Sequence, residues 1–225
     1  MSRIPSRAGV VSRLRYLAFG AYVRPRPSAE LIRLGTSYGG WVVPKRVLRP
    51  GTLCYCFGVG EDISFDLALV DQFGCEVFAF DPTPRSAAYV RSLEPLDSRF
   101  HFVPVGVWKE PGELKFYEPK DASHVSHSIV NLQRTDGYFI ALVDTVPALM
   151  AERTHTRLGI LKLDVEGAEH AALEPLLAAA TDIDVICVEF DQPSSVLAVL
   201  RTTRALRKAG YTLVARERWD CTFAR

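Results

Sequence analysis

Three groups of residues in the chain have types and spacings suited to chemistry. The first lies in CFGVGEDISFD, residues 56–66. Gly58 and Gly60 fall where an apolar run gives way to a helical pattern, which suits a tight turn and close backbone approach to a ligand. The third glycine of a dinucleotide fingerprint is absent, and Ile63 stands in its place. Glu61 and Asp62 follow at the predicted helix mouth. Their carboxylates would repel a pyrophosphate, which a helix N-terminus otherwise welcomes. They suit a ligand that is cationic or rich in hydroxyls and amines. The plainer alternative is a glycine turn without a ligand, capped by Asp62.

The second is Asp81, about 20 residues on, at the end of the next apolar run, where an acid accepts hydrogen bonds from the vicinal hydroxyls of a ribose. Its alternative role is to cap a helix starting near Thr83 or Pro84. A glycine pair followed by an acid at this spacing points to an adenosine-containing cofactor. The third is LKLDVEGAE, residues 161–169, which puts Asp164 and Glu166 at the carboxyl end of another apolar run. Open α/β sheets bind ligands along that edge. In extended backbone the two acids point the same way, with Lys162 on the same face and able to pair with one of them. An ion pair plus a helix-capping Glu166 would leave Asp164 inert. His127 and His170 add imidazoles that titrate near neutrality, although either also suits a surface or core position. No serine elbow, Walker loop or CxxC pair occurs, and no metal ligand set is assigned.

These residues need a scaffold to bring them together. Buried strands are predicted at 52–58, 75–80, 101–108, 158–165 and 184–190, and helices at 63–73, 84–93, 142–152, 166–180 and about 194–208. Residues 113–119 read as a hairpin arm, and the glycine turn in LGTSYGGWVVP (34–44) as a short hairpin or flap. Gly210 ends the last helix as a C′ glycine. Strands apolar on both faces and separated by helices mean a parallel sheet covered on both sides. YTLVARE and WDCTFAR leave no room for a helix between them and must pair antiparallel around Arg218. The expected fold is α/β, Rossmann-like and doubly wound, with a mostly parallel sheet whose last strand is reversed.

At 225 residues, with 48% apolar and 24% charged side chains, the chain can bury one substantial core. A net charge of +1 gives no global reason to expect nucleic acid as a partner. The first 50 residues are nevertheless strongly basic, with only Glu30 opposing the arginines and lysines. Residues 1–33 form a basic arm that suits weak contact with an anionic membrane surface, or else a frayed terminus and entry helix. Arg13 and Arg15 interrupt the apolar run at 10–23, and nothing reaches the ~20 apolar residues of a membrane span. Five scattered cysteines read as small buried hydrophobes of a reducing compartment. A cytoplasmic protein is expected.

YGGW (38–41), FGVGEDISFD, FAFDPTP (78–84), HSIVNL (127–132), LKLDVEGAE and the closing GYTL and CTFAR occur in order. Together they resemble FkbM-type methyltransferases, class I enzymes dependent on S-adenosylmethionine. The resemblance runs from residue 34 to residue 225 and leaves the basic arm outside. It implies a seven-stranded sheet, S-adenosylmethionine as cofactor, and O-methylation of a small molecule or saccharide. The acid that opens the general class I glycine motif and the glycine that closes it are replaced here by Cys56 and Asp62. On this reading the cofactor candidates are Phe57, Gly58, Gly60, Glu61, Asp62, Asp81, Pro82 and Gly106. The catalytic candidates are Asp164 and Glu166, with His127 or His170 behind them, because a hydroxyl must lose its proton as it is methylated, with help from a general base or a metal, and the sequence leaves both open. Acids beside a sulfonium assist its binding. Two other readings compete. One is a nicotinamide-dependent oxidoreductase, disfavoured by the missing glycine and the reversed strand. The other is a non-catalytic cofactor binder acting through its arm.

Overall fold

Alternation along single strands separates two cores. In β3 (Leu53–Phe57), Tyr55 and Phe57 enter one hydrophobic cluster, while Cys54 and Cys56 enter the other. That period of two is what a sheet buried on both faces requires. The structure is a computed structural model and describes residues 20, 24–26, 30–117, 135, 137–190 and 194–225.

The sheet has seven strands in the order β11, β12, β10, β9, β3, β4, β5. These are β4 (Glu76–Phe80), β5 (Phe100–Val103), β9 (Arg157–Leu163), β10 (Asp182–Glu189), β11 (Thr212–Glu217) and β12 (Asp220–Ala224), with β3 at the centre. β5, β4, β3, β9 and β10 pair in parallel, and β12 runs antiparallel to both β10 and β11. The reversed strand predicted from the closing sequence is therefore present, and Arg218 (φ 52°) makes the turn before it.

Helices α1 (Ser64–Phe73) and α2 (Pro84–Ser92) cover one face, through Phe65, Leu69, Val70 and Val90. Helices α3 (Val146–Glu152), α4 (Glu169–Ala178) and α5 (Val196–Lys208) cover the other, through Leu149, Leu173, Leu176, Val199 and Leu206. Thr83, Thr145 and Ser195 cap α2, α3 and α5 by accepting from the amide three residues on. A hairpin of β1 (Leu31–Leu34) and β2 (Trp41–Pro44) lies on the α1 side, with Leu34, Trp41 and Val43 buried in that core. All five cysteines are free and buried. Among the described residues no helix is long and apolar enough to cross a membrane.

Three boundaries differ from the sequence expectation. Residues 101–108 do not form one strand, because Pro104 cannot donate to a ladder. β5 stops at Val103, and β6 (Gly106–Val107) joins a separate three-stranded sheet with β8 (Tyr138–Asp144) and β7 (Gly112–Tyr117). Residues 142–144 belong to β8, not to a helix, and α3 begins only after the Thr145 cap. The helix expected from residue 166 starts at Glu169.

Candidate active site

Register brings the chemical residues together. Phe57 pairs with Phe80 on one side and Leu163 on the other, so Gly58, Asp81 and Asp164 leave three adjacent strands at one level. Leu163 pairs with Val188 and Glu189 with Asp220, which carries the same line on to two more acids. A cavity of about 390 Å³ lies along this carboxyl edge. Its lining includes Phe57, Gly58, Gly60, Glu61, Asp62, Asp81, Pro82 and Gly106, together with Asp164 and Glu166. The structure thus gathers all eight cofactor candidates and two of the catalytic ones. His127 lies outside the described residues, as does HSIVNL. His170 is elsewhere, hydrogen-bonded to Thr202 (2.7 Å) and Ser194 (3.0 Å) and stacked on Phe190.

The glycine turn is built for close approach. Gly58 has φ 86°, and a Cβ on it would stand 1.8 Å from the carbonyl oxygen of Asp164. Only glycine fits there. Its carbonyl accepts from Lys162 Nζ at 2.7 Å. Asp81, almost fully buried, organises the rest of the turn. Its Oδ2 accepts from the amides of Val59 (3.0 Å) and Gly60 (3.1 Å), and its Oδ1 from the amide and hydroxyl of Thr83 (2.8 and 2.6 Å). A carboxylate offers about four acceptor positions, and the protein occupies all of them.

Glu61 and Asp62 line the cavity but are committed to protein partners. Arg85 grips Glu61 with two 2.8 Å hydrogen bonds and holds its carboxyl below the usual range. Asp62 accepts from the Thr36 hydroxyl (2.5 Å) and the Ser64 amide (2.9 Å). Burial alone would raise its pKa, but these bonds outweigh burial and lower it. The hairpin is thereby tied to the glycine turn, and Tyr38 at its tip stands exposed on the cavity rim.

The far half of the cavity is acidic. Asp164, Glu166, Glu189 and Asp220 line it, and Lys162 is the one lining cation among the described residues. Burial, then Asp164 beside it, pushes the Glu189 carboxyl far above the usual carboxylate range. Burial and Asp164 likewise raise Asp220 to about 6. Lys162 is buried, which alone would lower its pKa, but the carboxylates of Asp164 and Asp66 outweigh that and keep it charged. Its Nζ lies 3.5 Å from Asp164. Asp164 and Glu166 share the cavity for a reason other than strand alternation. β9 ends at Leu163, and Glu166 turns back with φ 51°. Glu169 clamps that turn, its carboxylate accepting from the amides of Val165 (3.2 Å) and Gly167 (3.1 Å). Burial raises Glu169 to about 7 against those bonds. Among the described residues no three His, Cys, Asp or Glu side chains are arranged to hold a metal ion.

Glu189 and Asp220 were missed from the sequence. Glu189 ends an apolar run just as Asp164 does, so the same edge rule could have found it. Asp220 begins its strand. Only the reversal of β12 brings a first residue to the edge where the other strands finish.

The negative lining suits a sulfonium carrying an amine and would repel a pyrophosphate. At Gly58 the missing Cβ lets the ends of β3 and β9 pack tightly beside the cavity, because an added carbon would strike the Asp164 carbonyl. Three solved structures of related fold are remote in sequence. The precorrin-6y C5,15-methyltransferase of Geobacter metallireducens is 10% identical with a TM-score of 0.44, over 79% of this chain and 81% of its own. The METTL16 methyltransferase domain is 12% identical with a TM-score of 0.48, over 80% and 63%. An rRNA methylase from Streptococcus thermophilus is 11% identical with a TM-score of 0.43, over 99% and 96%. No curated protein matches the chain. The model of the methyltransferase FkbM domain matches residues 55–213, a span that holds the glycine turn, Asp81, Asp164 and Glu189. The chain belongs to the FkbM family of methyltransferases, whose methyl donor is S-adenosylmethionine.

Proposed function

We propose that this methyltransferase methylates a hydroxyl of a small, hydroxyl-rich acceptor of the saccharide type. The observation that carries this reading is the acid-lined half of the cavity, continuous with the glycine turn, in which buried Lys162 is the one lining cation among the described residues. The acidic side chains hydrogen-bond a polyol, and those that are ionised repel acceptors bearing phosphate or carboxylate. When bound, S-adenosylmethionine supplies an electrophilic methyl group on a sulfonium.

The chain's part is positioning and proton removal. The Gly58 turn, its amides aligned by Asp81, shapes the donor half of the cavity. Phe57 and Phe80, stacked with ring centroids 4.4 Å apart, wall it against water. Asp81 acts here by holding the turn, and it meets ribose hydroxyls only if Thr83 gives up a bond. Glu61 and Asp62 contribute charge from their ion pair and cap positions. In the acceptor half, burial and then the neighbouring Asp164 push the Glu189 carboxyl far above the usual carboxylate range, so Glu189 keeps its proton at neutral pH. Asp164 is then the acceptor for the hydroxyl proton, and Glu166 orients the neighbouring hydroxyls.

The test is an assay with S-adenosylmethionine against a panel of neutral sugars and polyols, their phosphorylated and carboxylated counterparts, simple amines and an RNA oligonucleotide. Methylation on oxygen of a neutral sugar or polyol is expected, with the phosphorylated counterpart at least about tenfold poorer. Turnover confined to RNA or to phosphorylated acceptors would overturn the reading.

A further inference from the structure

A second cavity, of about 280 Å³, lies at the opposite edge of the sheet and is lined by Arg24, Arg26, Arg207, Gly210, Tyr211, Thr212 and Leu213. β11 runs parallel to β10, so Thr212 and Leu213 at its start mark the amino edge, away from the methyl-transfer cavity. Three arginines line this space, and among the described residues no carboxylate does. Among the described residues none of the three arginines forms an ion pair. They also come from two separate elements. Arg207 closes α5, where a cation favours the negative end of the helix. That accounts for Arg207 alone. It does not account for Arg24 and Arg26, which reach the same cavity from a segment pinned to the sheet edge by the Arg26 amide, which donates to Leu213 O at 2.7 Å. Pro25 between them favours extended backbone, in which residues two apart point the same way.

We propose that this cavity binds a phosphate group. Arginine's planar fork donates paired hydrogen bonds to phosphate oxygens, and several such forks around one space are the arrangement phosphate recognition uses. Exposed to solvent, the three charges repel one another only weakly while the site is empty, because water screens them. The site shares no residue with the methyl-transfer cavity, so occupancy leaves that cavity open.

Titration calorimetry of the whole chain at moderate salt, with inorganic phosphate and separately with vesicles of phosphatidylcholine containing phosphatidic acid, tests the proposal. Binding is expected, with affinity about tenfold weaker in Arg207→Gln and in the Arg24→Gln/Arg26→Gln pair. Arg207→Lys, which keeps charge but loses the fork, should weaken it by an intermediate factor. Arg201→Gln, exposed on the same helix but outside the cavity, should leave affinity within about twofold. Binding of free phosphate but not of vesicles identifies a soluble phosphoryl compound, and binding of both identifies a lipid headgroup. The proposal is overturned by no binding to either probe, by equal weakening in Arg201→Gln, or by an RNA oligonucleotide binding where both probes fail. Unchanged thermal midpoints in all variants show that the fold is intact.

Discussion

The ammonium group of Lys162 donates a 2.7 Å hydrogen bond to the carbonyl oxygen of Gly58 while lying 3.5 Å from the Asp164 carboxylate. One buried cation therefore joins the glycine turn to Asp164. It also offsets Asp66, buried beneath the turn.

Removing that charge leaves buried acids without a counterion. Lys162→Met should cost about 3–5 kcal/mol in urea denaturation. Adding Asp66→Asn should recover part of the loss. A cost below about 1 kcal/mol would show that these charges are not coupled.

Gly58→Ala must place a methyl group 1.8 Å from a carbonyl oxygen at a positive φ. The left-handed backbone alone costs ~1–2 kcal/mol for an L-residue. The clash further pushes β3 and β9 apart. We expect a lower thermal midpoint and at least a tenfold loss of S-adenosylhomocysteine affinity. Gly60→Ala, with open space around the added carbon and φ 55°, should show the backbone cost only.

Asp81→Asn turns one acceptor oxygen into an amide nitrogen facing backbone or hydroxyl donors. One pair of hydrogen bonds is lost, at about 1–3 kcal/mol. Cofactor affinity should fall with it, because the turn is no longer held. Calorimetric affinity equal to wild type would assign Asp81 to helix capping alone.

Asp164→Asn should lower kcat about 100-fold or more, as loss of a general base does, while cofactor affinity stays nearly unchanged. Glu189→Gln mimics the protonated acid and should keep most of kcat at neutral pH. If Glu189→Gln is instead the dead variant, the two acids exchange roles.

Stability should fall as pH rises from about 4.5 to 7. In the folded chain Glu169 holds its proton to about 7 and Asp220 to about 6, and Glu189 holds its own higher still. The unfolded chain releases them near pH 4, so it binds fewer protons through this window and each step upward favours unfolding. Glu169→Gln should flatten the slope without removing it. Denaturant midpoints at pH 5 and pH 8 measure this directly, and an unchanged slope would refute the Glu169 assignment.

The candidate site was legible wherever a cavity residue directly follows an apolar strand. Gly58, Asp81 and Asp164 do so, and parallel register places them side by side. Partnerships formed across the fold were not legible. Glu61 meets Arg85, and Asp62 meets Thr36 on a hairpin 26 residues earlier, so the acids that looked free for a cation are already engaged. Asp220 was hidden because an antiparallel strand reverses which of its ends reaches the ligand edge. Residues 142–144 resembled a helix start by their apolar character, and pairing with β7 decided otherwise.

The insertion of β12 between β10 and β11 also sets an order on biosynthesis. β11 pairs with β12 alone in the main sheet, so after leaving the ribosome it must wait, unpaired, for residues 220–224. Until they arrive, β10 keeps a bare apolar edge able to recruit a foreign strand. The same late segment delivers Asp220 to the cavity. A nascent chain can thus shape most of the cavity before Asp220 completes its acidic lining, and β12 is the fastener that closes the sheet against foreign strands.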